Sequence, residues 1–445
     1  MKEKGAREIA LEVLYKVEEK GAYSNVQLNY VLEKYNPGFQ ERSLATSLVY
    51  GVLRRRNTLD WQIEQFSKRP VKKMTVWIRN ILRQGVYQLL YMEKIPQSAA
   101  CNEAVKLARK KGHEGVSRFV NGIMRNIARN LSHLTWPEAK EEFISVYYSH
   151  PDWLVKHWAE LFGWEKTEEI CRADNAVPAL SIRANRLKIT AEGLQERLAA
   201  EGVASRQSSL AKEGLLLEGS SSLSRLTSYQ EGLFQVQDES SMLVGKVVAP
   251  KPGERILDCC SAPGGKTTHL AELMDNQGEI IANELQKSKL TLIDAACQRL
   301  GIDIVQTVNH DGRNLSQLYQ DKMDRVLLDA PCSGLGILRR KPDARWRKSL
   351  SQVKELVELQ SELLSSAASC VRPGGVLVYS TCSIEPEENI RQIRDFLKKH
   401  QDFYLSDLAP YLPAVLQSSI EDKGMLQLYP GMTDGFFICR MERKK

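Results

Sequence analysis

The 445 residues contain no stretch near the roughly 18 uninterrupted apolar residues that a membrane-crossing helix needs. The Met1-Lys2-Glu3-Lys4 start leads into an amphipathic pattern rather than the apolar core of a signal peptide, so a cytoplasmic location is expected. Cysteine is scarce: nine residues, an odd count scattered from Cys101 to Cys439 without a repeating spacing. That excludes a disulfide framework and offers no zinc-binding pattern, so no metal is expected and the thiols are expected to be reduced. A phosphate-cradling loop is missing as well. Gly265-Lys266-Thr267 matches its last three positions, but the motif needs a glycine five positions before Gly265, where Cys260 stands.

What is present has the balance of a soluble globular chain, 42% hydrophobic and 26% charged. The length predicts two to four domains, because single cores rarely grow beyond about 250–300 residues. Charge is unevenly spread. Residues 1–140 hold 25 Lys and Arg against 13 Asp and Glu, a balance of +12, and the rest of the chain stands at −5. A basic module joined to a near-neutral one suits a polyanion such as RNA.

Apolar residues recur at helical spacing over residues 6–130, as in Ile9, Ala10, Val13, Leu14 and Val17 or Ile123, Met124 and Ile127, which predicts an all-α bundle over 1–140. Basic clusters such as Arg54-Arg55-Arg56 and Arg109-Lys110-Lys111 fall at its helix ends. With Arg118-Phe119-Val120-Asn121-Gly122-Ile123, the segment resembles the antitermination factor NusB, which implies an all-helical RNA-binding fold. A second segment, 145–231, opens on His150-Pro151-Asp152-Trp153-Leu154 and reads as a small α+β linking module. It combines a helix through Trp153, Leu154, Trp158 and Leu161, an alternating strand over 180–185, a helix through Leu194 and Leu198, and strands and turns over 215–217 and 220–224. From 232 to 445, short apolar runs alternate with helices, the pattern of a parallel, doubly wound α/β sheet. Strands are expected at 255–258, 279–284, 304–308, 325–329 and 376–380, with an antiparallel addition at 435–439.

Asp258-Cys259-Cys260-Ser261-Ala262-Pro263-Gly264-Gly265-Lys266-Thr267 joins the first of these strands to a helix. Paired glycines let backbone approach a ligand closely, and the helix start offers unsatisfied amides. Carboxylates then stand at successive strand ends: Glu284, 20 residues beyond Gly264 and so placed for a ribose diol, then Asp311 and Asp329. One such acid is usually a helix cap. Three around a glycine turn point to a nucleoside-bearing ligand.

Cys332 and Cys382 each follow a short apolar run. A thiol is often an ordinary core residue, but at the carboxyl end of a strand in an open α/β sheet it faces the ligand crevice, which suggests covalent chemistry. The decapeptide above, Asp329-Ala330-Pro331-Cys332-Ser333-Gly334, Ser380-Thr381-Cys382-Ser383 and the lead-in Phe234-Gln235-Val236-Gln237-Asp238-Glu239-Ser240-Ser241 resemble the signature of the RNA cytosine-5 methyltransferases. With the NusB-like front end the likeness spans the chain and points to the branch acting on small-subunit (16S) ribosomal RNA. The resemblance implies a Rossmann-like methyltransferase domain that takes S-adenosyl-L-methionine. It implies Cys260, Ser261, Ala262, Pro263, Gly264, Gly265, Lys266, Glu284, Asp311 and Asp329 as contacts of that co-substrate, ribosomal RNA as partner, and neither a membrane nor an obligate protein partner. Two departures are visible: Ser261 replaces the family's usual alanine, and Glu284 stands where aspartate is common.

Carbon 5 of cytosine is a weak nucleophile. Adding a thiolate at carbon 6 gives an enamine whose carbon 5 can take a methyl group, after which a base must remove the carbon-5 proton so that the thiol can leave. Spacing does not say which cysteine attacks. Pro331-Cys332 is similar to the nucleophile of DNA cytosine methyltransferases, whereas the RNA family implies attack by Cys382, release helped by Cys332, and Asp329 supporting the protonated base. A cytosine inside a stem is inaccessible, so the target must be flipped out or unpaired. The run 338–348, six cations around Trp346, is expected to hold phosphates and stack on a base beside the site. Two alternatives stay open: methylation of transfer RNA by the same catalytic domain, and a non-catalytic RNA-binding or antitermination factor.

Overall fold

The computed structural model describes residues 4–218 and 223–445, so residues 220–222 of the expected turn lie outside the described residues. The chain forms two compact units. Among the described residues, no helix is long and apolar enough to cross a membrane.

The first unit runs to Val177 and takes in the excursion Leu338–Arg347. Its helices Ala6–Lys20, Phe39–Arg54, Val76–Tyr91 and Glu114–Arg129 turn one apolar face inward, and Ile9, Val13, Leu48, Val52, Ile81, Val120, Met124 and Ile127 meet in a single buried cluster. These are the positions that the helical spacing selects, since residues three and four apart share a face. Helices Asp152–Phe162 and Trp164–Ala173, grouped above with the second segment, also lie in this unit.

The excursion departs from expectation. Arg345 is fully buried, and its guanidinium donates to Ser149 O at 2.9 Å, Asp174 O at 3.2 Å and Asn175 Oδ1 at 3.2 Å. Trp346 Nε1 donates to Leu53 O at 2.7 Å while Arg56 lies over the indole at 5.1 Å, and Asp343 accepts from Ser24 Oγ at 2.6 Å. Arg345 and Trp346 are therefore structural rather than phosphate- and base-binding groups. Last-turn carbonyls such as Arg54 O and the cap carbonyl Asp174 O lack intrahelical donors, and the Arg345 side chain, with five N–H groups, satisfies them as well as it would a phosphate.

The second unit holds two sheets. Strands β1 (Leu180–Ala184), β2 (Ser205–Gln207), β3 (Gly214–Leu217) and β4 (Phe234–Val236) form a small antiparallel sheet in the order β2-β3-β1-β4. Strand β4 thus pairs back onto β1 before the helix Glu239–Val248 begins. In the larger sheet, β5 (Arg255–Asp258), β6 (Glu279–Asn283), β7 (Val305–Val308), β8 (Met323–Asp329) and β9 (Val371–Thr381) run parallel in the order β7-β6-β5-β8-β9. The expected antiparallel addition is β13 (Phe436–Arg443), against β9. The sheet continues beyond it through β12 (Met425–Leu428) and β11 (Ile420–Asp422), with β10 (Phe403–Leu405) also on β13. Successive strand residues enter opposite cores: Ile256, Ile280, Leu327 and Val378 on one face, Leu257, Ile281, Leu328 and Leu377 on the other. Burial on both faces is why these strands read as short unbroken apolar runs rather than alternating ones.

Candidate active site

Strands β8 and β9 are paired so that Asp329 lies opposite Ser380. Both leave the sheet at its carboxyl edge, so the segments carrying Cys332 and Cys382 emerge side by side where open α/β sheets bind ligands. Ala330 N donates to Ser380 O at 2.9 Å and Gly336 N to Cys382 O at 3.0 Å. A Cβ at Gly336 would stand 2.1 Å from Gly435 O and 3.0 Å from Cys382 O, so only glycine admits this approach. The Cys332 and Cys382 sulfurs end up 3.3 Å apart. These two and Cys260 are half-buried, and the other six cysteines are buried.

One carboxylate holds the residues that follow both thiols. Glu388, fully buried, accepts from Ser333 N at 2.7 Å, Ser333 Oγ at 2.5 Å, Gln360 Nε2 at 3.0 Å and Ser383 Oγ. Four donors stabilise a buried charge that would otherwise be costly. Its neighbour Asn389 accepts from Thr381 Oγ1 at 2.6 Å and donates to Ser383 O at 3.0 Å, locking the backbone on either side of Cys382. The contact with Cys382, burial, and the charges of Glu388 and Asp329 push the Cys332 thiol well above its ordinary value, and either sulfur can serve as the donor in their contact.

A cation stands on the other side. Lys266 Nζ donates to Asp329 Oδ2 at 2.7 Å, and Ser380 Oγ donates to Asp329 Oδ1 at 2.7 Å, which fixes that carboxylate at both oxygens. Burial opposes the charge on Lys266, but Asp329, Cys382 and Asp258 raise its pKa above the usual lysine value. Lys266 is therefore ammonium throughout the neutral range and acts on the Cys382 sulfur.

Below the thiols lies a cleft of about 180 Å³. Cys260, Ser261, Ala262, Pro263, Gly265, Lys266 and Asp329 line it, together with Gln237, Asp238 and Ser241 from the lead-in segment. Gly264 makes the turn at φ +98°, where its bare Cα sits against the Ile293 backbone. Cys260 is no rival nucleophile, since burial and the nearby Asp258 and Asp329 raise its thiol well above its usual value. Ser261 uses its hydroxyl, which an alanine lacks, to donate to Asn283 O at 2.8 Å. Glu284 and Asp311 stand at the ends of β6 and β7, outside the cleft lining. Glu284 Oε1 accepts from Gln286 N at 2.9 Å, and Asp311 caps the turn Gly312–Asn314 while its Oδ2 accepts from Arg313 at 2.7 Å.

Sequence reasoning missed three residues. Asp258 is buried on the cleft wall, with Oδ2 accepting from Thr267 Oγ1 at 2.7 Å and Oδ1 without a partner among the described residues, and burial raises its pKa to about 7. An unpartnered buried carboxylate oxygen on a cleft fits a ligand bearing a cationic amine, as S-adenosyl-L-methionine does. Asn283 ties three strand ends together, donating to Cys259 O at 3.0 Å and accepting from His310 N at 2.9 Å. Glu388 is the third. In Pro386-Glu387-Glu388-Asn389 nothing separates it from a solvated acid, and only the serines following each thiol hint at its donors.

Known proteins share this architecture. The family profile described as 16S rRNA methyltransferase RsmB/F matches residues 245–442, the NusB family matches 4–129, and a Methyltr_RsmF/B-like ferredoxin-like domain matches 150–224. A relative from Bacillus subtilis (strain 168), named as a probable ribosomal RNA small subunit methyltransferase B, is 40% identical over the whole of both chains. The Escherichia coli O1:K1 / APEC protein named ribosomal RNA small subunit methyltransferase B is 32% identical, again over the whole of both. Among solved structures, that of PH0851 is 29% identical with a TM-score of 0.82 over 99% of this chain and 100% of its own. That of NSun6 from Pyrococcus horikoshii with SFG is 27% identical with a TM-score of 0.61 over 66% of this chain and 98% of its own.

Proposed function

The chain belongs to the ribosomal RNA small subunit methyltransferase B family, and on that footing we propose that it transfers a methyl group from S-adenosyl-L-methionine to carbon 5 of a cytosine in small-subunit (16S) ribosomal RNA. The transfer runs in the cytoplasm through a covalent bond between Cys382 and the base. The observation that carries this reading is the pair of sulfurs at 3.3 Å, with Lys266, ion-paired to Asp329, acting on Cys382 and the buried Glu388 holding the serine that follows each thiol.

The chain's own residues supply the following roles. Lys266 stabilises the Cys382 thiolate, whose sulfur forms a bond to carbon 6 while the carbon 5–carbon 6 electron pair moves onto carbon 5. Asp329, fixed by Lys266 and Ser380, hydrogen-bonds the base and favours its protonated form. When bound, the co-substrate supplies an electrophilic methyl group for carbon 5. The cleft residues from Cys260 to Lys266, with Asp258, would hold it, and Glu284 and Asp311 at the neighbouring strand ends would contact it, as the family resemblance implies. Release then needs the carbon-5 proton removed. Cys332 gives its proton to the departing Cys382 sulfur and takes up the carbon-5 proton in its place, restoring the double bond, and the Cys382 thiol then loses that one proton to solvent to regain its thiolate. The SFG in the solved NSun6 structure, an analogue of S-adenosylmethionine, supports this use of the cleft. The NusB-like helices, carrying most of the basic excess, serve RNA capture.

Bisulfite mapping of ribosomal RNA from cells lacking this protein tests the reading. Loss of one 5-methylcytosine from the small-subunit RNA is expected, and an unchanged map there would reject the assignment.

A further inference from the structure

The first unit contains a second pocket, of about 420 Å³, walled by the rings of Tyr91, Trp136, Tyr147 and Tyr148 and flanked by Arg55 and Arg172. It forms where helix ends converge. Tyr91 ends Val76–Tyr91, Tyr147 ends Lys140–Tyr147 with Tyr148 as its cap, Arg55 separates Phe39–Arg54 from Arg56–Gln65, and Arg172 lies on Trp164–Ala173. Trp136 and Tyr148 meet Tyr147 edge-on, with centroids 4.9 and 5.1 Å away, rather than stacking on it. Among the described residues only Phe143 stacks on Tyr147, covering one face. Tyr91 and Tyr147 remain 36% and 39% exposed, so part of each ring is open to a ligand.

Neither cation forms an ion pair among the described residues. Arg172 is exposed and its guanidinium makes no hydrogen bond among them, while its carbonyl accepts from Asn175 N at 3.1 Å. Arg55 reaches Tyr147 O only at 3.5 Å and otherwise lies over the Tyr91 ring at 4.9 Å. Glu168 is occupied by the Tyr148 hydroxyl at 3.0 Å. The pocket therefore presents aromatic faces and two positive charges. A volume of this size falls in the range of about 300–1,000 Å³ that holds a small ligand.

We propose that this pocket is a subsite for one unpaired nucleotide of the RNA substrate, its base stacked among Tyr91, Trp136 and Tyr147 and its phosphates paired with Arg55 and Arg172. The inference rests on the RNA-acting reading above. A single unpaired nucleotide is specified because aromatic faces accept any base, because bases stack on aromatic side chains once they are unpaired, and because cations without ion-pair partners attract phosphate. The subsite recognises strand character rather than sequence, so it selects substrates with a single-stranded stretch and leaves the chemistry to the second unit.

The test uses the full chain without co-substrate and a single-stranded fragment of small-subunit ribosomal RNA carrying 4-thiouridine. Irradiation is expected to join RNA to peptides containing Tyr91, Trp136 or Tyr147. Tyr147→Ala is expected to weaken RNA binding by about 5- to 150-fold, the span of one lost stack. Arg172→Glu changes only an exposed side chain, so it keeps the fold. It is expected to weaken binding about tenfold and to flatten the dependence of log affinity on log salt by about 0.7, the value for one lost phosphate contact on a single strand. A fully paired duplex should be insensitive to both changes. Absence of these crosslinks together with single-strand affinity unchanged in Arg172→Glu would overturn the proposal, as would equal losses on duplex RNA. RNA binding with these signatures but no methyl transfer would reject the reaction and leave the subsite standing. Transfer with affinity unaltered in both variants would do the reverse.

Discussion

The sulfurs of Cys332 and Cys382 lie 3.3 Å apart, with the Lys266 ammonium acting on Cys382 and the Glu388 carboxylate holding the serines that follow both thiols. In the proposed reaction these two chemically identical side chains take unequal roles, Cys382 attacking the base and Cys332, its thiol pushed well above the ordinary value, helping release. The parallel register of β8 and β9 brings them together.

Replacing Lys266 by Met removes the cation from beside Cys382. The rate of adduct formation in a single turnover is expected to fall about 10- to 100-fold at pH 7 and to recover as pH rises, because hydroxide then supplies the thiolate that Lys266 had favoured. A pH profile parallel to that of the parent protein would show that Lys266 serves only to hold Asp329.

Glu388→Gln places an amide where Ser333 N, Ser333 Oγ, Gln360 and Ser383 all donate, so at least one buried donor loses its acceptor. A loss of stability of about 1–3 kcal/mol is expected, with kcat falling at least tenfold while KM for RNA stays put. Thermal melts and steady-state kinetics separate the two effects. A variant that loses stability but keeps kcat would reduce Glu388 to a purely structural residue.

Asp258 gives a pH signature whose sign is fixed by its raised pKa of about 7. Its protonated form is favoured in the folded protein, so it costs stability increasingly as pH climbs from the usual carboxylate range through 7, and the full cost is present above 7. Asp258→Asn is therefore expected to be more stable than the parent by about 2–3 kcal/mol more at pH 8 than at pH 5, while binding S-adenosyl-L-methionine more weakly. In the parent protein, affinity for that cationic ligand should fall as pH drops below 7, by about tenfold per unit, because the carboxylate must first lose its proton. Denaturation at the two pH values and calorimetric titration check both.

Arg345→Ala removes the donors from Ser149 O, Asp174 O and Asn175 Oδ1 in a fully buried setting. A stability loss of about 3 kcal/mol or more is expected, with the salt dependence of RNA binding unchanged in whatever fraction stays folded. A reduced salt slope with undiminished stability would restore the phosphate-binding role suggested by composition.

Much of this was legible in the residues. Helical spacing marked Ile9, Val13 and Ile127 as core, and short apolar runs ending in Asp258, Asp329 or Ser380 located the strands, since burial on both sheet faces leaves no alternation to confuse them. The resemblance to the methyltransferase family implied Cys260 to Lys266 as contacts, and all of these but Gly264 line the cleft. Charge without context was less informative. Arg345 looked like an RNA contact because a guanidinium satisfies helix-end carbonyls and phosphates with the same N–H groups, and only the fold decides between them. Glu388 was invisible for the opposite reason: its four donors come from three separate segments, and an acid in an acidic run carries no mark of burial.

The most direct test of the account compares Cys332→Ala and Cys382→Ala, each incubated with RNA and S-adenosyl-L-methionine and resolved by denaturing electrophoresis with mass spectrometry of any shifted band. Cys332→Ala is expected to accumulate a covalent protein–RNA adduct whose cytosine already carries the methyl group, and Cys382→Ala to form neither adduct nor product. Methylation by Cys382→Ala, with loss of the adduct in Cys332→Ala, would contradict the assignment and reverse the roles of the two thiols.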